Sequence, residues 1–179
     1  MQLKETRDAL NYFGKYVVAK SRQNLVNDDK SVSGSLYNSL EYNVDVQPSE
    51  FTLSFFMEDY GMFQDQGVKG KSSSFKAPRS PFQFGTGTGK KGGLTQGIDK
   101  WVRRKRFQFR DRKSGRFLSY KSTAFLISRS IYQKGIAPSL FFTKPFEKAF
   151  KGLSKDLLEP FKLDIETFIK NTINNKATR

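Results

Sequence analysis

The chain has no cysteine and no histidine among its 179 residues. Without thiols it has no disulfide, no thiolate nucleophile and no cysteine-based zinc site. Without imidazole it has no Ser-His-Asp triad, no histidine metal ligand and no general base titrating near neutrality. Stability must come from packing or assembly. Long apolar runs are also missing, none approaching the ~18 residues a membrane span needs. The opening Met1-Gln2-Leu3-Lys4-Glu5 lacks the charged-then-apolar pattern of a secretory signal, so the chain is expected to stay in the cytoplasm where it is made. Hydrophobic residues make up only 36%, but eighteen Phe and seven Tyr enlarge what each buried side chain contributes. Length alone gives an expectation of a single domain over 1–179.

Acids are scarce in one place above all. From Lys69 to Arg116 there are fifteen Lys and Arg but only Asp99 and Asp111, a net of +13 out of +15 for the chain. Gathering like charge in a Gly- and Ser-rich stretch accepts a self-repulsion that an anionic partner would relieve. The candidate contact residues for nucleic acid or an acidic protein are Lys69, Lys71, Lys76, Arg79, Lys90, Lys91, Lys100, Arg103, Arg104, Lys105, Arg106, Arg110, Arg112, Lys113 and Arg116. The same block could instead be a solvated loop with no dedicated partner.

Hydrophobic periodicity predicts an amphipathic helix from Leu3 to about Val26, with Leu10, Phe13, Val17 and Leu25 on its apolar stripe. Ser33-Gly34-Ser35 then leads through Leu36-Tyr37-Asn38-Ser39 into a strand. Leu40, Tyr42, Val44 and Val46 alternate with polar residues, as do Phe51, Leu53, Phe55 and Met57 beyond a turn at Gln47-Pro48-Ser49-Glu50. Together they predict a β-hairpin with one buried face. A short helix ending at Gly67 follows.

Residues 69–93 have no periodicity and read as a flexible basic Gly/Ser/Pro-rich loop, with Phe75, Phe82 and Phe84 as isolated sticky points. Residues 94–118 read as a basic helix and arm. Thr95 is the candidate N-cap, Ile98, Trp101 and Val102 form an inward stripe, and Phe107-Gln108-Phe109 and Arg116-Phe117-Leu118 flank a turn. Trp101 is therefore expected to pack in the core. Helices are predicted from Ser122 to Lys134, with Gly135 as C-cap, from Thr143 to Leu158, and from Phe161 to Ile173 beyond a break or kink at Pro160. The order gives an α+β class: a small antiparallel sheet packed by amphipathic helices, with a long basic loop or arm inserted.

The glycine run Gly85 to Gly93 is not a phosphate loop. Lys90 is followed by Lys91, the residue five before Gly89 is Phe84, and no buried parallel strand precedes it. The pairs Asp28-Asp29 and Glu58-Asp59 have no second acidic cluster in the sequence to work with and read as helix caps or solvated faces. No catalytic, cofactor or metal residue is assigned, and the chain is not expected to be an enzyme. No base-reading motif of known spacing is present, so nucleic-acid contact would fall on the phosphate backbone.

Three stretches together resemble the head–tail connector and tail-completion (neck) proteins of tailed bacteriophages. They are Gly34-Ser35-Leu36-Tyr37-Asn38-Ser39-Leu40, Tyr60-Gly61-Met62-Phe63-Gln64-Asp65-Gln66-Gly67-Val68, and Gly135-Ile136-Ala137-Pro138-Ser139-Leu140-Phe141-Phe142-Thr143-Lys144-Pro145-Phe146. The resemblance covers roughly residues 3–68 and 119–150. It implies a non-catalytic structural protein of the virion. Such proteins form homo-oligomeric rings in the neck or tail, contact the portal or adjacent rings, and surround the DNA channel. The basic segment is larger than the compact form of that fold needs. It is expected to reach an adjacent ring, an acidic portal surface or channel DNA. The alternative is a free basic protein that binds the phosphate backbone without sequence specificity.

Overall fold

The computed structural model describes residues 3–27, 34–47, 50–86 and 93–177. The fold is α+β. Where length suggests a single domain, the contacts gather into two compact units, one formed by Met1–Glu58 with Phe141–Arg179 and the other by Asp59–Leu140.

The first unit holds α1 (Lys4–Asn27), α2 (Ser35–Ser39), β1 (Glu41–Gln47), β2 (Glu50–Phe56) and α6 (Thr143–Ala177). Thr6, Leu10, Phe13, Val17, Ser21 and Leu25 recur every three or four residues along α1 and are all buried. β1 and β2 pair antiparallel with Tyr42 opposite Phe55, Val44 opposite Leu53 and Val46 opposite Phe51, the register the alternation predicts. Exposure alternates strictly along β1. The hairpin turn at 48–49 and the end of the first helix at 28–29 lie outside the described residues. Leu36 to Ser39 form one short helix rather than an extended lead-in, which buries Leu36 in a core with Val18, Leu25, Leu40 and Phe141. Phe13, Phe55, Phe142 and Phe146 interlock mostly edge-to-face, with centroids 5.3 to 6.4 Å apart. Each such pair is worth about 0.5–1.5 kcal/mol beyond its buried area.

Two expectations for the last helices are corrected. α6 runs as one helix from Thr143 to Ala177 where the sequence predicts two divided by a break or kink at Pro160, and Phe150 is exposed although helical spacing groups it with Phe146 and Leu153. A proline inside a helix costs about 3 kcal/mol, and one turn beyond it α6 is clasped to α1. The buried carboxylate of Asp164 accepts hydrogen bonds from the N–H of Thr6 at 2.9 Å, the hydroxyl of Thr6 at 2.7 Å and the N–H of Glu5 at 3.3 Å. It satisfies orphan donors at the first turn of α1 and places negative charge at that helix's positive end.

The second unit holds α3 (Tyr60–Gln66), β3 (Val68–Lys69), α4 (Gly93–Arg104), α5 (Tyr120–Lys134) and β4 (Gly135–Ile136). Gly67 ends α3 as expected, in a left-handed conformation, and Gly135 caps α5 in another. β3 and β4 pair antiparallel, with Val68 opposite Ile136 and Lys69 opposite Gly135, so each glycine lies close to the backbone of the other strand's segment. A methyl group on Gly67 would lie 2.6 Å from the carbonyl oxygen of Ile136, and one on Gly135 would run into that of Val68. α5 begins two residues earlier than the periodicity predicts because the Ser119 hydroxyl caps it, accepting from the Ser122 N–H at 3.1 Å. α4 begins at Gly93, so Thr95 sits inside its first turn rather than capping it. The extension lets Leu94 line an apolar groove of about 770 Å³ with Tyr60, Phe63, Phe82 and Phe84.

The long basic loop is replaced, over 69–86, by chain tied down along much of its length. The N–H groups of Lys71 and Ser72 donate to the carbonyls of Tyr132 and Gln133 at 2.9 and 3.2 Å, and Lys69 exchanges hydrogen bonds with Phe82 and Phe84. The buried Ser80 hydroxyl donates to the Gly67 carbonyl at 2.7 Å. Gly70 makes the approach possible, because any side chain there would collide with the Gln133 carbonyl. Periodicity could not reveal this, since the bonds run from backbone to backbone. The stretch 87–92, with Lys90 and Lys91, lies outside the described residues.

Two variants test these joints. Asp164→Ala should cost about 1–2 kcal/mol in urea unfolding near pH 7. Burial alone would raise the Asp164 carboxyl, but hydrogen bonds from Thr6, Glu5 and Lys4 hold it below the ordinary aspartate value. Its contribution is therefore complete above the ordinary value and is lost as pH falls through the folded one, so the variant should lose stability less steeply on acidification. Gly70→Ala should cost about 1–3 kcal/mol and open residues 71–86 to limited proteolysis.

Candidate anion-binding face

Among the described residues, the predicted cations lie on the second unit, from Lys69 to Arg116. Lys69 is half-buried, while Lys71, Lys76, Arg79, Lys100, Arg103, Arg104, Lys105, Arg106, Arg110, Arg112, Lys113 and Arg116 are exposed. They fall into two groups along the chain. The first rides on the tied-down segment, where the Lys71 ammonium sits 5.9 Å from the Tyr132 ring centroid. The second occupies α4 and the arm that follows it.

The arm is a small hairpin, as the sequence predicts. Arg110 bridges Phe117, the Leu118 N–H donates to the Phe109 carbonyl at 2.8 Å, and the Asp111 N–H donates to the Arg116 carbonyl at 2.8 Å. Asp111 shapes the tip by accepting from the N–H groups of Ser114 at 2.7 Å and Lys113 at 3.2 Å, and from the Ser114 hydroxyl at 2.8 Å. The Ser114 N–H and hydroxyl, helped by the Lys113 N–H, hold its carboxyl below the ordinary aspartate range. The buried Thr123 hydroxyl accepts from the Phe109 N–H at 3.3 Å, fastening the arm to α5.

Asp99 is also engaged, its carboxylate 2.8 Å from the Arg103 guanidinium one turn along α4. Arg103 is further placed over the Tyr120 ring at 5.3 Å, and Arg110 over Phe117 at 4.7 Å. Both acids of the segment are thus committed to local structure.

α4 ends in a motif normally built on glycine. The Phe107 N–H donates to the Val102 carbonyl at 2.9 Å and the Arg106 N–H to the Arg103 carbonyl at 3.2 Å, a Schellman closure. The left-handed position, φ 51°, is occupied by Arg106. A side chain held there costs on the order of 1–2 kcal/mol, so the site gives up stability to keep a cation.

Trp101 corrects the expectation of core packing. Val102 is buried, and Trp101, about 100° around the helix from it, lies at the surface against Phe107. Helical spacing alone leaves the point open, since Ile98 has both Trp101 at i+3 and Val102 at i+4 as neighbours on one side of the helix. Of the predicted sticky points, Phe82 packs edge-to-face on Phe63 at 4.7 Å and Phe84 packs on Tyr132 at 5.7 Å, whereas Phe75 is 89% exposed. Sequence reading missed the ring partners Phe117 and Tyr120. The basic-aromatic alternation of Arg110 through Phe117 was the available signal for the first.

Comparison with protein-family models, with curated proteins and with solved structures finds no match.

Arg106→Gly should raise stability by about 0.5–1 kcal/mol, read as a higher melting temperature. It should also weaken binding to a heparin column, eluting at lower salt. A variant that melts lower would show that the left-handed arginine is stabilised by contacts of its own.

Proposed function

We propose that the chain is a structural, non-catalytic protein of a tailed-phage virion. In this reading it forms a homo-oligomeric ring of the neck or tail that joins portal to tail around the DNA channel. One observation carries it. The stretches Tyr60–Val68 and Gly135–Leu140, two carriers of the resemblance to connector and tail-completion proteins, are far apart in sequence yet form a single knot. β3 pairs with β4, and the N–H groups of Ser139 and Leu140 donate to the carbonyls of Gln64 and Asp65 at 3.1 and 2.9 Å. Motifs that cooperate this closely support kinship better than either does alone.

Surface chemistry fits a subunit of an assembly. On the first unit, Tyr12, Val26, Phe150, Leu158 and Leu163 are exposed, and a cleft of about 460 Å³ lies between α1 and α6. Packing of neighbouring subunits in a ring would cover such apolar surface. The cationic face of the second unit would meet an acidic ring, the portal or channel DNA, and its long-range charge would steer that encounter.

Imaging purified particles tests the reading, with the chain expected at ring stoichiometry in the neck or tail; its absence from particles would refute it. A quadruple charge reversal, Lys100→Glu, Arg104→Glu, Lys113→Glu and Arg116→Glu, should leave the melting temperature of the isolated protein within a few degrees. The yield of infectious particles should fall at least about tenfold. Normal yields would separate the basic face from assembly.

A further inference from the structure

We infer that the arm of the second unit is a stacking site for single-stranded nucleic acid. The inference is independent of the ring reading, because it concerns the protein alone in solution.

The observation is an exposed row of rings set among cations. Trp101, Phe107 and Phe109 follow one another with centroids 6.2 and 5.3 Å apart, at exposures of 38%, 41% and 38%. Phe117, 61% exposed, lies under the Arg110 guanidinium on the same hairpin. Arg104, Lys105 and Arg106 interrupt the row between its first two rings. Cations alone would serve a partner that offers only phosphates or carboxylates. The exposed rings of Trp101, Phe107 and Phe109 carry no charge to such a contact, whereas exposed apolar surface is favoured to be covered by another apolar face. A single strand offers both chemistries: phosphates for the cations and base faces for the rings.

Ring geometry favours single strands over duplex. Bases in a duplex strand are spaced about 3.4 Å apart and stacked on one another. The rings here are farther apart and turned from one another by 56° and 78°. They cannot continue a regular base stack, but each can receive one splayed base. The hydrogen bonds of the Schellman closure and of Thr123 to Phe109 fix the backbone on which these rings stand. Little ordering is left to be lost on binding. The expected ligand is a short, unstructured stretch of DNA or RNA, bound without base specificity.

Trp101 is the chain's one tryptophan, so its fluorescence reports this site directly. Full-length protein would be titrated with an oligothymidylate of about twenty nucleotides, a duplex of equal length, inorganic polyphosphate and polyglutamate. The oligothymidylate should quench Trp101 and bind at least about tenfold tighter than the duplex or polyphosphate. Phe107→Leu and Phe109→Leu should each weaken it about fivefold or more while leaving polyphosphate unchanged. Phe107→Tyr keeps a ring in place and should bind like the original protein, which separates lost stacking from a collapsed arm. Equal binding of duplex or polyphosphate would overturn the inference in favour of bare phosphate contact, and preference for polyglutamate would do so in favour of an acidic protein surface. Leu variants that bind as well as the original protein, or no binding at all, would also overturn it. None of these outcomes bears on whether the chain is found in particles.

Discussion

Backbone pressed against backbone, with no side chain between, is the constraint on which the second unit rests. Gly67 lies against the backbone of Ile136 and Pro138, Gly135 against that of Val68 and Gly70, and Gly70 brings the following chain onto the carbonyls at the end of α5. Every other feature of residues 69–86 follows from that approach. Lys71 and Ser72 reach Tyr132 and Gln133 because Gly70 allows it, and Ser80 folds back to Gly67. A segment rich in Lys, Gly and Ser would otherwise be too polar to hold itself in place. Here the hydrogen bonds of its main chain add to the limited apolar packing that Ala77, Phe82 and Phe84 supply.

Fixing the segment changes what its charge can do. A flexible basic loop loses conformational entropy when it meets an anion, at roughly 1–2 kcal/mol per backbone residue ordered. Lys71, Lys76 and Arg79 stand on chain already ordered, and Arg103 and Arg110 are held over rings. More of the electrostatic gain therefore remains as affinity. The left-handed Arg106 fits the same logic, since glycine would relieve the backbone there but remove a cation.

What the sequence made legible was whatever depends on side-chain periodicity. The α+β class, the hairpin register from Tyr42 opposite Phe55 to Val46 opposite Phe51, the first helix and the glycine caps at 67 and 135 all follow from alternation, 3.6-residue spacing or a demand for positive φ. What it hid depends on contacts distant along the chain. Pro160 signals a break or kink locally, whereas the Asp164 clasp on Thr6, a partner far away in sequence, has no local signal. The same holds for 69–86, whose partners lie on α5. The cations of the candidate face were named as contact residues, and the described ones other than the half-buried Lys69 are exposed. Their association with a row of rings was not, because Trp101 was assigned to the stripe of Val102 rather than to the neighbouring face.

Magnitudes decide how far the charge can shape the fold. Two like charges about 10 Å apart in water repel by roughly 0.4 kcal/mol, and physiological salt weakens this further. A backbone hydrogen bond contributes about 0.5–1.5 kcal/mol net, so the several bonds holding 69–86 and the arm outweigh the repulsion of any one neighbouring pair. The frame therefore tolerates the excess of cations over acids. The repulsion is nonetheless additive over a face whose two acids are already committed, Asp99 to Arg103 and Asp111 to its own turn. A bound polyanion would remove many of these small penalties at once and release condensed counterions as it did so. Charge of this kind leaves the scaffold intact, and under the proposed function the approach of a negatively charged polymer would lower its free energy.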